Sequence, residues 1–226
     1  MNKVYSLHDA VAKFVESGDT ICFGGFTTNR KPYAAVNEIL RQGQKDFTVW
    51  AGPAGGDRDM LIGEGRVKNY INCYTANSGY TNVSRRFRAA IEKGQLTYED
   101  YSQDVLMLQL HAASLGLPYL PVRLMQGSGL MKFWGMDEEK RKTMPKVADL
   151  KCVEVENPFV PGQKVVAVPV PRSTPPSSTC RRPLPTAPAS SRVTSSTTWT
   201  SLWPPARSSL PVRSWSAMNT SAATPP

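Results

Sequence analysis

Hydrophobic positions recur with two different periods along residues 1–171, and this pattern predicts helices that alternate with strands. Ser6 is placed to cap a first helix whose apolar residues recur at helical spacing: Leu7, Ala10, Val11, Phe14 and Val15. Gly18 lies where that helix is expected to stop. The apolar run from Thr20 to Phe23 then predicts a short buried strand that ends at Gly24-Gly25.

The alternation continues toward residue 170. Pro32 suits the first turn of a second helix, which is expected to end before Gly43. Later strands are predicted at residues 47–50, 70–74 and 165–170, and later helices at residues 82–93 and 101–115. Strands separated by helices of this length predict an α/β fold with a largely parallel sheet and helices on both of its faces.

Three loops rich in glycine, serine or asparagine are expected at the carboxyl ends of strands, where open α/β sheets bind ligands. Their bare backbone N–H groups and short hydroxyls can contact a phosphate or a carboxylate, although ordinary turn chemistry explains each loop taken alone. We expect the three loops to cluster on one side of the sheet. The candidate binding residues are Gly24, Gly25, Phe26, Asn77, Ser78, Gly79, Gln126, Gly127 and Ser128.

Composition changes abruptly at Arg172. Residues 172–226 contain none of the 16 glycines and none of the 18 acidic residues, but 6 of the 27 basic residues. Such a segment buries too little apolar area to offset its ordering entropy. The sequence therefore predicts one domain over residues 1–171 and a disordered tail over residues 172–226.

Charge and cysteine spacing narrow the possible partners. The net charge of +9 does not indicate nucleic acid, because residues 1–171 carry 21 basic against 18 acidic residues. The four cysteines lack zinc-ligand spacing, so no metal site is expected. Polar residues and prolines interrupt the apolar stretch at 105–122, and the N-terminal segment is charged. Neither a membrane span nor a signal peptide is expected, which predicts a cytoplasmic protein.

Residues 17–32 resemble the first signature of family I CoA-transferases: a short turn, an apolar strand, Gly24-Gly25-Phe26, and a proline six residues after the phenylalanine. Three residues depart from that signature without removing the strand, the Gly-Gly turn or the proline: Ser17, Cys22 and Arg30. Other segments are similar to A subunits of the glutaconate branch of this family: 31–36, 72–79, 81–88, 101–104 and 124–129. The resemblance covers residues 1–171 almost continuously.

This resemblance implies transfer of CoA from a short acyl-CoA, such as acetyl-CoA, to a carboxylic acid, such as glutaconate. In such enzymes a glutamate attacks the thioester and carries CoA as a glutamyl-CoA thioester. In the glutaconate branch that glutamate belongs to a partner B subunit, so we assign no catalytic residue to this chain. The CoA thioester is a substrate, and no permanently bound cofactor is expected.

Two charged features have competing explanations. Glu64 is an accessible carboxylate between two glycines, but nothing nearby in sequence would desolvate or orient it, so a solvated loop charge is the preferred interpretation. Arg85, Arg86 and Arg88 could attract a dicarboxylate or CoA phosphates, or could form the exposed face of their helix.

A shifted reading frame explains the composition of the tail. One legal encoding of residues 171–182, read one base earlier, gives Gln-Val-Asp-Ala-Ala-Ile-Ile-His-Val-Gln-Thr, a plausible buried strand. A natural Pro/Ser-rich linker is the alternative. If the family's downstream strands have been replaced, the strand at 165–170 is expected to present an unpaired edge or an uncovered apolar face, which invites aggregation.

Two further functions stay open beside CoA transfer. The chain could belong to a CoA-thioester hydrolase of related fold, because relatives can change chemistry while keeping one architecture. It could also be an inactive truncated fragment. A neighbouring coding region for a B-like subunit with a candidate glutamate would favour transfer, and the missing half in another frame would favour the fragment.

We predict that limited proteolysis cleaves rapidly after Arg172, Arg181 and Arg192 and leaves a resistant body. The physical reason is that the tail cannot bury enough apolar area to stay ordered. Mass spectrometry of the fragments, combined with hydrogen exchange, measures this. A protected tail would overturn the predicted disorder and weaken the frameshift hypothesis.

Overall fold

A computed structural model describes residues 4–144, 147–171 and 193–194. In chain order its elements are α1 (Leu7–Phe14), β1 (Thr20–Phe23), α2 (Tyr33–Gln42), β2 (Phe47–Ala51), α3 (Gly56–Gly63), β3 (Val67–Asn72), α4 (Arg85–Glu92), β4 (Thr97–Asp100), α5 (Gln103–Ser114), β5 (Tyr119–Val122), α6 (Gly129–Lys132), α7 (Glu138–Lys142), β6 (Val153–Glu156), β7 (Lys164–Pro169) and β8 (Val193–Thr194).

The first two helices lie where the sequence pattern predicts them, although α1 ends earlier than expected. The Ser6 side chain accepts a hydrogen bond from the Asp9 N–H at 3.1 Å, which satisfies a donor in the first turn of α1. Helix α2 follows Pro32 and ends at Gly43, whose φ of 86° is left-handed. Helix α1 ends four residues before Gly18, which lies in the turn that leads into β1.

Four parallel strands form the main sheet in the order β4-β3-β2-β1. The predicted α/β fold with a largely parallel sheet is confirmed. Strand β8 extends this sheet by two residues, antiparallel to β1. It is the only described part of the segment for which the sequence predicts disorder. The rest of residues 172–226, including the positions used in the frameshift hypothesis, lies outside the described residues.

Alternating residues of the strands enter two separate cores, one on each face of the sheet. Phe23 of β1 and Val49 of β2 pack with residues from α1, α2, α3 and α4. Cys22 and Trp50, their neighbours in sequence, pack on the opposite face with α5 and with strands β5 and β7. Because successive strand residues point to opposite faces, both faces of the sheet are covered.

The second face is covered partly by a separate antiparallel sheet of three strands, β5-β7-β6, which the sequence did not predict. The apolar strand predicted at residues 165–170 is β7, and it lies in the centre of this sheet. It pairs with β5 along one edge and with β6 along the other. The expectation that this strand presents an unpaired edge is therefore wrong.

Buried charges fix the segment between β5 and β6 onto the main sheet. The Arg141 guanidinium forms an ion pair with Glu99 of β4, and both side chains are at most 1% exposed. The Lys151 ammonium donates to the Leu130 carbonyl at 2.8 Å, while the Tyr101 hydroxyl donates to the Lys151 carbonyl at 3.1 Å. These contacts join α6 and α7 to the region around the end of β4.

The outer face of the three-stranded sheet is apolar and partly exposed. It carries Val153 and Val155 of β6 and Tyr119 of β5, whose exposures range from 36% to 54%. The register places Ala167 and Val165 of β7 opposite the two valines of β6, on the same face. The sequence predicts an unpaired edge or an uncovered apolar face at the strand at 165–170, and Val165 and Ala167 of that strand lie on this face. Among the described residues, no helix is long and apolar enough to cross a membrane.

We predict that Val155→Lys reduces binding of a hydrophobic dye such as ANS and improves solubility, with a change in the free energy of unfolding within about 0.5 kcal/mol. Val166→Lys is the matched variant on the opposite face, because Val166 of β7 is fully buried. It should destabilise the fold by roughly 3 kcal/mol or more, since a charge would enter the core. Equal thermal stabilities of the two variants would contradict this assignment of the faces.

Candidate functional site at the carboxyl edge of the parallel sheet

The carboxyl ends of β1, β2 and β3 lie at one edge of the parallel sheet, and a glycine-containing loop follows each of these strands. Loop A is Gly24–Lys31, loop B is Gly52–Gly55, and loop C is Cys73–Ser84. Two of the three predicted binding loops fall within loops A and C. Loop B lies between them because β2 lies between β1 and β3.

Loop A is a tight turn that presents Phe26 to solvent. Phe26 and Asn29 exchange two backbone hydrogen bonds, of 3.1 and 2.8 Å, and Phe26 is 57% exposed. Gly25 has a φ of 95°, and a Cβ there would lie 2.6 Å from the Arg30 carbonyl oxygen. The turn therefore requires glycine at position 25. Thr27, with a φ of 46°, is the buried residue of this turn.

Loop B joins the other two loops through its backbone. The Pro53 carbonyl accepts hydrogen bonds from the Thr27 N–H at 3.0 Å and from the Lys31 ammonium at 2.9 Å. The next residue, Ala54, donates to the Tyr74 carbonyl at 2.9 Å and accepts from the Ala76 N–H at 3.1 Å. Loop B thus holds loop A on one side and loop C on the other.

Close approach at Gly55 and Gly56 brings polar side chains to the start of α3. A Cβ at Gly55 would lie 2.5 Å from the Thr27 carbonyl oxygen and 3.0 Å from the Asn77 side-chain oxygen. A Cβ at Gly56 would lie 2.8 Å from the Tyr33 hydroxyl. The bare backbone N–H groups at the start of this helix and the Tyr33 hydroxyl are donors that suit an anionic or carbonyl group, whereas the Asn77 side-chain oxygen beside them is an acceptor.

Loop C exposes Ser78 and Gly79 beside Asn77. The Asn77 carbonyl accepts from the N–H groups of Tyr80 and Thr81, each at 2.9 Å, so residues 77–81 form a compact turn. Ser78 is exposed, and its hydroxyl lies 3.0 Å from the Tyr74 hydroxyl. The structure therefore brings six of the nine predicted binding residues to one edge: Gly24, Gly25, Phe26, Asn77, Ser78 and Gly79.

The third predicted loop belongs to a different part of the molecule. Gln126, Gly127 and Ser128 follow β5, which lies in the antiparallel sheet. They therefore do not follow a strand of the parallel sheet, which is where the sequence predicts them. The Gln126 amide donates to the Lys164 carbonyl at 3.2 Å, and the Ser128 hydroxyl donates to the Met125 carbonyl at 2.6 Å. Among the described residues, no hydrogen bond joins this turn to loops A or C. A binding role for it stays a prediction.

A buried cluster of charges lies beneath loops A and B, and sequence reasoning missed it. Arg58 of α3 is 1% exposed, pairs with the fully buried Asp57, and donates to the Phe23 carbonyl at the end of β1. Lys31 is 6% exposed. Burial, followed by the charge of Arg58, lowers the pKa of Lys31 to about 8. Asp57 offsets the charge of Arg58, so the cluster carries one net positive charge beneath the loops.

The remaining candidate charges belong to α4 and to the end of α3, and none of them lies within the three loops. Glu64 follows the last residue of α3, about 12 Å along the helix from Gly56. Its side chain is half exposed and lies 3.4 Å from the Arg86 guanidinium, as expected for a solvated charge. Arg85, Arg86 and Arg88 are all exposed. In the described part of the chain, no group of three or more His, Cys, Asp or Glu side chains could hold a metal ion.

We predict that Gly55→Ala destabilises the protein by about 1–3 kcal/mol, because the new methyl group would enter the space of the Thr27 carbonyl. The φ of Gly55, −149°, is not left-handed, and the expected cost comes from the lack of space for a Cβ. Gly24→Ala is the matched control, since a Cβ at Gly24 meets nothing within 4 Å. Thermal unfolding measures both variants, and equal stabilities would contradict the close packing of loops A and B.

This chain matches known proteins over the residues that form the carboxyl edge. The family model described as Coenzyme A transferase matches residues 4–170. The A subunit of glutaconate CoA-transferase from Acidaminococcus fermentans is 67% identical over 172 residues, which are 76% of this chain and 54% of that protein. The A subunit of 3-oxoadipate CoA-transferase from Pseudomonas knackmussii is 32% identical over 75% of this chain and 55% of its own length.

A solved structure supports the same relationship. The crystal structure of glutaconate CoA-transferase from Acidaminococcus fermentans matches with a TM-score of 0.74 and 68% identity, over 75% of this chain and 54% of that chain. The chain spans about half the length of the relatives that it matches. The match of the family model from residue 4 to residue 170 shows that this chain belongs to the coenzyme A transferase family.

Proposed function

We propose that this chain is a subunit of a CoA-transferase, which moves CoA from a short acyl-CoA such as acetyl-CoA to a carboxylic acid such as glutaconate. The observation that carries this proposal is the 67% identity to the A subunit of a glutaconate CoA-transferase over residues that include loops A, B and C. A natural Pro/Ser-rich tail or a shifted reading frame after residue 171 are both compatible with it.

The geometry of the carboxyl edge suits recognition of a thioester or a carboxylate. The Gly55-Gly56 backbone, the Asn77 amide and the Ser78 hydroxyl supply neutral donors. The buried cluster of Lys31, Arg58 and Asp57 carries one net positive charge beneath these donors, which favours negative charge on the ligand. In this proposal the edge binds and orients the substrate, and CoA acts as a substrate without a permanently bound cofactor.

The nucleophile is proposed to come from a partner B subunit. A nucleophilic glutamate must be accessible and must lie against the bound thioester. Asp57, the acidic residue nearest to loop B in sequence, is fully buried and paired with Arg58. Glu64 lies at the opposite end of α3 and pairs with Arg86. Neither carboxylate meets the requirement, which supports a nucleophile outside this chain.

The activity of the chain in the presence of a B subunit distinguishes three alternatives: CoA transfer, thioester hydrolysis and an inactive fragment. We favour transfer over thioester hydrolysis because the relative with 67% identity belongs to a transferase. An inactive fragment is the third alternative, since the chain spans about half of that relative. The cytoplasmic location and the absence of nucleic-acid and membrane partners stay predictions.

We predict that the purified chain alone shows no turnover with acetyl-CoA and glutaconate, because the nucleophile is supplied by another polypeptide. The assay follows glutaconyl-CoA by chromatography, before and after addition of the B subunit of a glutaconate CoA-transferase. Activity that appears on addition, with consumption of glutaconate, supports transfer. CoA release without glutaconyl-CoA would indicate hydrolysis, and no activity in either case would indicate the fragment.

Glu64→Gln is the control for the position of the nucleophile. It should leave any reconstituted activity unchanged, because Glu64 is a surface charge at the far end of α3. Turnover by the chain alone that Glu64→Gln abolishes would show that the nucleophile lies in this chain and would contradict the proposal.

A further inference from the structure

We propose that Lys31 is a positioning residue, whose ammonium holds loop A against loop B and thereby sets the geometry of the carboxyl edge. Its role in ligand binding rests on the proposed function, whereas its effect on the two loops does not. Lys31 is the last residue of loop A, separated from α2 by Pro32 alone, and its side chain crosses to the backbone of loop B.

The position of the Lys31 side chain is unusual for a lysine. It is 6% exposed, and lysine is almost never fully buried without a partner. Among the described residues, Lys31 forms no salt bridge. Its neighbour Asp57 is paired with Arg58 instead. The ammonium is therefore not placed to neutralise a buried acid, and its hydrogen-bond partner is the Pro53 carbonyl at 2.9 Å.

The same carbonyl accepts the Thr27 N–H at 3.0 Å, so one oxygen atom of loop B holds loop A at two points. The Thr27 carbonyl in turn lies against Gly55, where there is no room for a Cβ. Loss of the ammonium would remove one of the two bonds at this oxygen atom. Loop A would then be free to move away from Gly55 and from the Asn77 amide beside it.

Burial makes the contact costly, which argues against an incidental side-chain position. Desolvation lowers the pKa of Lys31 to about 8, and the nearby Arg58 charge acts in the same direction. The attraction of Asp57 opposes both effects but does not outweigh them. A methionine of similar length would avoid this cost and would still fill the space. The buried ammonium therefore carries a desolvation cost. We assign it the function of holding loop A against loop B.

The test compares hydrogen exchange of the full chain with that of three variants. Lys31→Met removes the donor, and Lys31→Arg keeps a buried cation that can donate to the Pro53 carbonyl. Lys151→Met is the matched control, because Lys151 is also a fully buried lysine that donates to a backbone carbonyl, at Leu130. Exchange is followed at residue resolution in loops A and B, with the Thr27 amide as the main probe.

We expect Lys31→Met to speed exchange at Thr27 by about ten- to a hundredfold, the range for loss of a hydrogen bond to a charged group. Lys31→Arg should restore most of the protection, and Lys151→Met should leave loops A and B unchanged. Unchanged exchange in Lys31→Met, or an equal increase in Lys151→Met, would overturn the proposal. If Lys31→Met does not fold, the exchange of Lys31→Arg tests the proposal instead. A tenfold or greater increase in exchange at Thr27, relative to the unmodified chain, would then overturn the proposal.

Calorimetry with acetyl-CoA separates this inference from the proposed function. If the unmodified chain binds acetyl-CoA, Lys31→Met should weaken its affinity, and Lys31→Arg should recover it. If the unmodified chain does not bind acetyl-CoA, the binding role fails, while the exchange results still decide whether Lys31 positions the loops.

Discussion

Backbone-to-backbone contact between loops A and B is the constraint on which the candidate site depends. The Thr27 carbonyl occupies the space where any other residue at position 55 would place its Cβ, and the Pro53 carbonyl accepts two donors from loop A. Because parallel strands end at a common edge, the chain needs only three short loops to bring these groups together. Glycine at position 55 permits the close approach of the two loops, and glycine at position 25 permits the tight turn within loop A.

Two buried ion pairs support this arrangement from opposite faces of the main sheet. Asp57–Arg58 lies below loop B, and Glu99–Arg141 joins β4 to α7. Each pair leaves some polar atoms without hydrogen-bond partners, including Asp57 Oδ1 and Glu99 Oε1. Buried pairs of this kind add little net stability, because desolvation offsets their attraction. Their contribution here is positional: Arg58 fixes the Phe23 carbonyl at the start of loop A, and Arg141 fixes the segment after β5.

The parts of the fold that the sequence predicts are those with strong local signals. Strand β1 was predicted with its observed bounds, because its apolar run ends at two glycines. Helix α1 was predicted from its serine cap and its apolar spacing. Helix α3 was missed because its first turn consists of Gly56 and charged residues that become buried only through tertiary pairing. Strand β4 was missed for the same reason, since Glu99 is buried against Arg141, 42 residues away. Strands β5 and β6 were missed because they are stabilised by pairing with β7, and the local sequence pattern does not show this pairing.

The candidate site was likewise predicted only in part from the sequence. Loops A and C were predicted from their glycine, serine and asparagine residues, and six of the nine predicted binding residues lie at one edge. Loop B was not predicted as part of the site, although Gly55 and Gly56, shortly after the strand predicted at residues 47–50, were a usable signal. The role of Lys31 could not be predicted, because its partner is a backbone carbonyl 22 residues away. The turn at Gln126 was grouped with the other two because its strand was assumed to belong to the parallel sheet.

The central claim is that loops A and C bind a CoA thioester together at the carboxyl edge of the parallel sheet. An NMR titration of the ¹⁵N-labelled full chain with acetyl-CoA, up to millimolar concentration, tests it most directly. The account predicts that amide resonances of residues 24–28, 55–56 and 75–79 shift together along one saturable curve. Saturable shifts confined to the exposed arginines of α4, or to residues 126–128, would contradict it.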